Sequence, residues 1–149
     1  MTIKEEIYQL CVEHVNERLQ TIEQTIQSHQ KALTSETKSS AGDKHETGRA
    51  MLQLEMEKAG QQLQSIQQIK ETLARIDLSK TSEVISLGSL VETNLATYFL
   101  SVSAGQLVVN NKMYFAISTA SPIGKLLLGK TVGEEILWNG RKIQVQNIS

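Results

Sequence analysis

The sequence predicts an α+β protein in two parts. An N-terminal antiparallel α-helical coiled-coil hairpin is expected over residues 1–78, followed by a small antiparallel β-sheet domain with one short helix over residues 79–149. Three observations predict it. Apolar residues in the first half mirror each other about the Gly42-Asp43 junction. Composition changes between Leu78 and Ser82 from Gln, Glu and Leu to short β-branched and aromatic runs. Near the end, Asn139-Gly140 separates two such runs as a tight hairpin turn would.

The mirror is detailed. On the way up, Tyr8, Val12, Val15, Leu19, Ile22, Ile26, His29 and Leu33 alternate spacings of four and three. On the way down, Leu52, Met56, Ala59, Leu63, Ile66, Lys70 and Leu73 repeat them, so that Leu33 pairs with Leu52, Ile26 with Ala59, Ile22 with Leu63, Leu19 with Ile66 and Val12 with Leu73. Two helices folding back on each other need this symmetry, because each layer of an antiparallel seam takes one residue from each arm. At ~1.5 Å rise per residue, arms of about 26 residues reach roughly 40 Å from base to tip. A spike of that length is a reaching device, which directs attention to the tip.

Six strands are expected after the hairpin: residues 83–91, 97–102, 106–109, 113–118, 135–138 and 142–148. One helix interrupts them, with Ser121 as N-cap, Pro122 at its first position and Gly129 as its stop.

Composition excludes several classes. The single Cys11 rules out an internal disulfide and, with no apolar signal segment after Met1, points to a reducing, cytoplasmic setting. No apolar run approaches the roughly 20 residues that span a bilayer. A net charge of -1 argues against a strongly electrostatic DNA binder. Apolar residues off the seam (Ile3, Ile7, Leu10, Ile69 and Ile76) cluster near the hairpin base, where packing on the second domain uses them, so a monomer is expected.

At the tip, Asp43 and Glu46 satisfy a capping-box spacing for the second helix. Two carboxylates three apart on one side of a helix start also suit a hard divalent cation such as Mg2+, provided a second molecule completes the site. His45 lies between them without a Cys or second His nearby, as a solvated side chain would. Lys31, Lys38, Lys44 and Arg49 surround the tip, where they would meet an acidic partner or simply solvent. Cys11 has no His or Asp spaced as a nucleophile's partner and is assigned to packing. Gly124 to Thr131 spell the Walker A pattern, yet Ser121-Pro122 opens a helix through it and no apolar strand ending in Asp offers a Walker B partner, so no nucleotide is expected there.

Ser121-Pro122-Ile123-Gly124, Leu127-Leu128-Gly129-Lys130 and Gly133-Glu134-Glu135-Ile136 together resemble the C-terminal signature of the GreA/GreB transcript-cleavage factors of bacterial RNA polymerase. Those factors join an N-terminal coiled coil to an FKBP-like domain and carry Gly-Asp, with Glu three after the Asp, at the tip. Gly42-Asp43 and Glu46 stand in that place. The resemblance implies an accessory elongation factor rather than an enzyme. Its FKBP-like domain would dock at the polymerase secondary channel, with Ser121, Pro122, Gly124, Lys125, Lys44 and Arg49 as partner-binding residues. Asp43 and Glu46 would lend catalytic ligands to a shared Mg2+, bound only in the polymerase complex, acting on the nascent RNA 3' end indirectly.

The tip also departs from the family. Lys44-His45 replaces Leu-Ser between the acids, and Thr47-Gly48-Arg49-Ala50 replaces Asn-Ala-Glu-Tyr after them. These changes leave open an alternative, a Gre-like secondary-channel regulator or inhibitor without cleavage stimulation. An FKBP-like fold also suggests a prolyl isomerase, but Tyr98, Phe99, Tyr114, Phe115 and Trp138 are too few and too strand-like to line its pocket.

Overall fold

The structure, a computed structural model, describes the backbone of residues 1–38 and 43–149 and the side chains of residues 1–35 and 47–149. Two long helices come first, α1 (Ile3–Lys38) and α2 (Asp43–Ala74). The first starts on a reciprocal cap that sequence reading passed over. The amide of Glu5 donates to Thr2 Oγ1 at 3.1 Å, while Glu5 Oε2 accepts from the amide of Thr2 at 3.2 Å. This Thr-x-x-Glu box satisfies two donors that a helix start would otherwise leave open.

The seam follows the heptad. Val15 and Ile22 on α1, and Ala59, Ile66 and Leu73 on α2, are buried at seven-residue intervals. Their mirror partners Val12, Leu19, Ile26 and Leu63 are half-buried, and so is His29, as expected of a seam histidine. Tyr8 ties the start of α1 to the end of α2, its hydroxyl donating to the Leu73 carbonyl at 2.9 Å. That carbonyl lies in the last turn, where helical partners run out. Past the helix, Asp77 accepts from the Ser79 amide at 3.0 Å and from its hydroxyl at 2.5 Å. These bonds hold the exposed Asp77 carboxyl below the usual carboxylate range.

Contacts divide the chain into two compact units, one of Met1–His14 with Glu71–Ser149, the other of Val15–Lys70. The first contains a six-stranded sheet of β1 (Leu90–Thr93), β2 (Thr97–Ser101), β3 (Gly105–Val109), β4 (Lys112–Ser118), β5 (Glu135–Trp138) and β6 (Arg141–Ile148), in the order β3-β4-β2-β1-β6-β5. The helix α3 (Pro122–Leu127) lies between β4 and β5 in sequence. Five strands fall within a residue of expectation. The sheet is mixed rather than wholly antiparallel, because β2 and β4 run parallel, Tyr98 beside Phe115 and Ser101 beside Ser118. The reason is one of parity: β3 skips a place, and β4 returns from it into the gap beside β2.

The expected strand over residues 83–91 is a second correction. Only Leu90 and Val91 are extended ladder residues. Serine hydroxyls compete for the backbone before them: the Val84 amide donates to Ser82 Oγ at 3.2 Å and the Ser86 amide to Ser89 Oγ at 3.0 Å. Gly88 then turns the chain at φ 91°, with its amide on the Leu100 carbonyl. A Cβ there would also come within 2.9 Å of Ile76.

Turn chemistry matches expectation. Asn139 and Gly140, at φ 50° and 76°, join Trp138 to Arg141 as a type I′ turn requires. Asn110-Asn111, at φ 51° and 64°, does the same between Val109 and Lys112. On one face of the sheet Ile85, Val91, Leu100, Ile123, Leu127, Ile136, Ile143 and Val145 form a core cluster. Ile7 and Cys11 of α1 are fully buried in the same compact unit, Cys11 Sγ lying 3.8 Å from Ser101 Oγ.

Cysteines placed at Ile22 and Leu63 are expected to be joined by a short bis-maleimide within one chain, giving a monomer of altered mobility on denaturing gels. Crosslinks that form only between chains would reject the folded-back pairing.

Candidate functional site

The tip carboxylates lie at the start of α2, which opens at Asp43. Helical backbone places Asp43 and Glu46 about one turn apart on one face. The side chains of Asp43, Lys44, His45 and Glu46, and the cap expected of them, lie outside the described residues. Thr47 and Arg49 are exposed on the next turn. Among the described residues, no three His, Cys, Asp or Glu side chains are grouped to hold a metal.

Further down the same compact unit, Arg18, Lys58, Gln61, Gln62 and Ser65 line an open polar cleft. Lys58 also reaches Glu55 at 3.8 Å, an exposed pair of little energetic weight. Met51 and Leu54, 63% and 58% exposed, break the polar outer face of α2. Sequence reading placed the spare apolar residues only near the base and missed this pair. The signal was present, since neither residue belongs to the four-three seam.

Ser121, Pro122, Gly124 and Lys125 are brought together at α3, and their first role there is architectural. Ser121 caps the helix, accepting from the Gly124 amide at 3.1 Å, and its hydroxyl donates to the Ser118 carbonyl at 2.6 Å. Pro122 sits where its missing N–H costs nothing. A Cβ on Gly124 would lie 2.1 Å from the Ser118 carbonyl oxygen, so only glycine lets α3 rest on the end of β4. Lys125 and Pro122 are exposed, free to meet a partner, while Ile123 and Leu127 point into the core. Arg49 belongs to the other compact unit.

The Walker A letters fall on this same helix and its exit. The Lys125 amide donates to Ser121 O, Leu128 to Gly124 O, Gly129 to Ile85 O and Lys130 to Leu127 O, all between 2.9 and 3.1 Å. The Thr131 amide donates to Glu134 Oε2 at 2.7 Å. With these amides bonded, no nest remains for a phosphate. Gly129 ends the helix at φ 82°, as expected of its stop.

The aromatic residues do not converge either. Phe99 and Tyr114 are buried, whereas Tyr98 and Phe115 are half-buried and meet each other with centroids 6.0 Å apart. Cys11 is fully buried, and burial pushes its thiol up to about 11 despite the Ser101 contact. A thiol so protonated is packing, not a nucleophile.

No protein-family profile and no curated protein matches the chain. Among solved structures, it is similar to the transcription factor Gfh1 at 26% identity, over 91% of each chain, with a TM-score of 0.35.

Two outcomes test these assignments. Gly124→Ala should cost about 1–3 kcal/mol in denaturant unfolding, because the added methyl meets backbone that must move. A silent substitution would show that α3 is not seated this way. The raised Cys11 pKa favours the protonated thiol in the folded state. Stability should therefore fall between pH 9 and 11 as the unfolded thiol ionises first, by up to ~2.7 kcal/mol. Cys11→Ala should show a shallower decline than wild type over that window.

Proposed function

We propose that this protein is a transcription elongation factor of the Gre type, binding bacterial RNA polymerase at its secondary channel and lending Asp43 and Glu46 to cleavage of backtracked RNA. One observation carries the reading. Helices of 36 and 32 residues succeed each other, and the Asp and Glu of a Gly-Asp-x-x-Glu sequence stand at the start of the second. The α3 motif supports it, since its exposed Pro122 and Lys125 remain available to a partner after Ser121 and Gly124 have served the fold.

The donor set fits a hard cation: two carboxylates on adjacent turns offer only oxygen ligands and leave coordination positions for water and phosphate. Mg2+ bound there, in the polymerase complex, would supply Lewis-acid stabilisation and a lowered water pKa. This chain's part is to deliver two ionised carboxylates to the polymerase's own and to position them over the nascent RNA 3' end. The factor alone has no turnover on this reading, and its setting is cytoplasmic.

A second reading is favoured by Lys44 and His45. They stand in the sequence where the family has Leu-Ser, and a channel-binding regulator or inhibitor would tolerate such a change beside the acids.

Cleavage in stalled polymerase complexes separates the readings. Asp43→Asn preserves N-capping ability and Glu46→Gln preserves the capping-box hydrogen bond, so both should fold and bind polymerase like wild type. Each should nevertheless lose most stimulated cleavage. Wild type that binds but stimulates nothing at any Mg2+ concentration establishes the regulator reading. Failure to bind polymerase rejects both.

A further inference from the structure

The two ends of the sheet are not equally protected. β3 and β5 are its terminal strands, each closed on its neighbour by a two-residue turn. Such a turn makes the residues flanking it a hydrogen-bonded pair, and bonding then alternates along the strand. On β3 the pairs Val109–Lys112, Leu107–Tyr114 and Gly105–Ala116 therefore use their amides inward. The backbone groups of Gln106 and Val108 face out, and both residues are exposed.

The outward positions of β5 are Leu137 and Glu135, and Glu134 precedes them. Carboxylates at an edge discourage another strand from pairing. The β3 edge reads Gly-Gln-Leu-Val-Val, with no charge or proline, and its one irregularity is Gly105 at φ 74° at the start, clear of Gln106 to Val108. Its apolar content is also presented to solvent: Val108 is 58% exposed and its cross-strand partner Met113 is 55% exposed.

We propose that β3 is a self-association edge, on which two copies of this chain pair β3 to β3 in antiparallel register about a two-fold axis at Leu107. The register is set by the outward groups. Gln106 of one copy exchanges both backbone hydrogen bonds with Val108 of the other, and the symmetry repeats the exchange, giving four. Leu107 then faces its own counterpart in a non-hydrogen-bonded pair, and Gly105 faces Val109, a small residue against a larger one. No charge opposes its copy, because the Lys112 side chains fall at opposite ends of the joint. The sheet becomes twelve-stranded, and Val108 and Met113 lose exposure beside the partner's Gln106. A second copy is favoured over a foreign peptide because the uncharged edge is complementary to itself in both register and size. The joint is small, so the association is weak and reversible.

Sedimentation equilibrium of the full chain from roughly 10 µM to 1 mM should show a monomer–dimer equilibrium. Val108→Pro removes an outward amide that the β3–β4 ladder does not use, and should weaken the dimer by at least ~10-fold. Position-specific oxidation gives an independent reading. Leu107→Cys should form an intermolecular disulfide readily, since facing Cα atoms of a non-hydrogen-bonded pair lie about 4.5 Å apart. Val109→Cys, which faces Gly105, should not, and buried Cys11 contributes no background. A monomer throughout the range overturns the proposal, as does a dimer indifferent to Val108→Pro or equal crosslinking at 107 and 109. Capture of a foreign extended peptide without self-association overturns it as well.

Discussion

The contact on which the sheet's core depends is the one between Gly124 and the Ser118 carbonyl. A short helix of six residues has little stability of its own, and α3 survives because Ser121 grips both sides of the joint. Its hydroxyl donates back to Ser118 and accepts from Gly124 ahead. With the helix seated, Ile123 and Leu127 reach the cluster formed by Val91, Leu100, Ile136 and Ile143. Ile85 is drawn in by its own two backbone bonds, its amide to Lys130 O and its carbonyl from the Gly129 amide. The segment that failed to become a strand is thus held at Ile85 by the exit of α3 and at Gly88 and Ser89 by Leu100 of β2. The most recognisable motif in the chain is therefore chiefly a rule of construction. That is why a Ser-Pro-x-Gly match speaks more strongly to architecture than to activity.

Legibility in the sequence followed how local the physics was. The Asn139-Gly140 turn and the cap and stop of α3 depend on a few adjacent residues, and they were readable. The heptad seam is equally readable, because each arm repeats the same local spacing. Sheet order was not readable, since nothing in residues 102–104 says whether the next strand returns beside β2 or one place over. The 83–91 run was misread because Val84, Ile85 and Leu87 look strand-like, while the hydrogen bonds of Ser82, Ser86 and Ser89 are invisible to hydropathy. Thr2 to Glu5 was legible as a capping box and was overlooked. For the candidate site, the position of Asp43 and Glu46 at the head of a helix was legible, because a capping-box spacing is local.

Composition and packing partition the chain differently, and α1 shows why. Its spacing is that of one continuous heptad helix, yet Ile7 and Cys11 are fully buried within the unit that contains the sheet. The end of α2 joins the same unit, tied by the Tyr8 hydroxyl to Leu73 and followed by Ile76 against Gly88. Buried polar groups there are paired: Thr93 accepts from the Ala96 amide and donates to its carbonyl, and Ser89 receives the Ser86 amide. Among the described residues no buried side-chain polar atom lacks a partner. The compact unit that contains the sheet thus includes the start of α1 and the end of α2.

The same helix that positions Asp43 and Glu46 also competes for them. The first turn of a long helix carries a partial positive charge, which favours carboxylates there by about 0.3–1 kcal/mol each. The stabilisation is present before any ligand arrives, and a cation sharing those oxygens must displace part of it. Two carboxylates also fill at most four oxygen positions of an octahedral ion. On the proposed reading, the isolated chain therefore ligates a cation only weakly. On the proposed reading, cleavage therefore requires a partner that supplies the missing ligands, and the two carboxylates contribute to a reaction the chain does not catalyse alone.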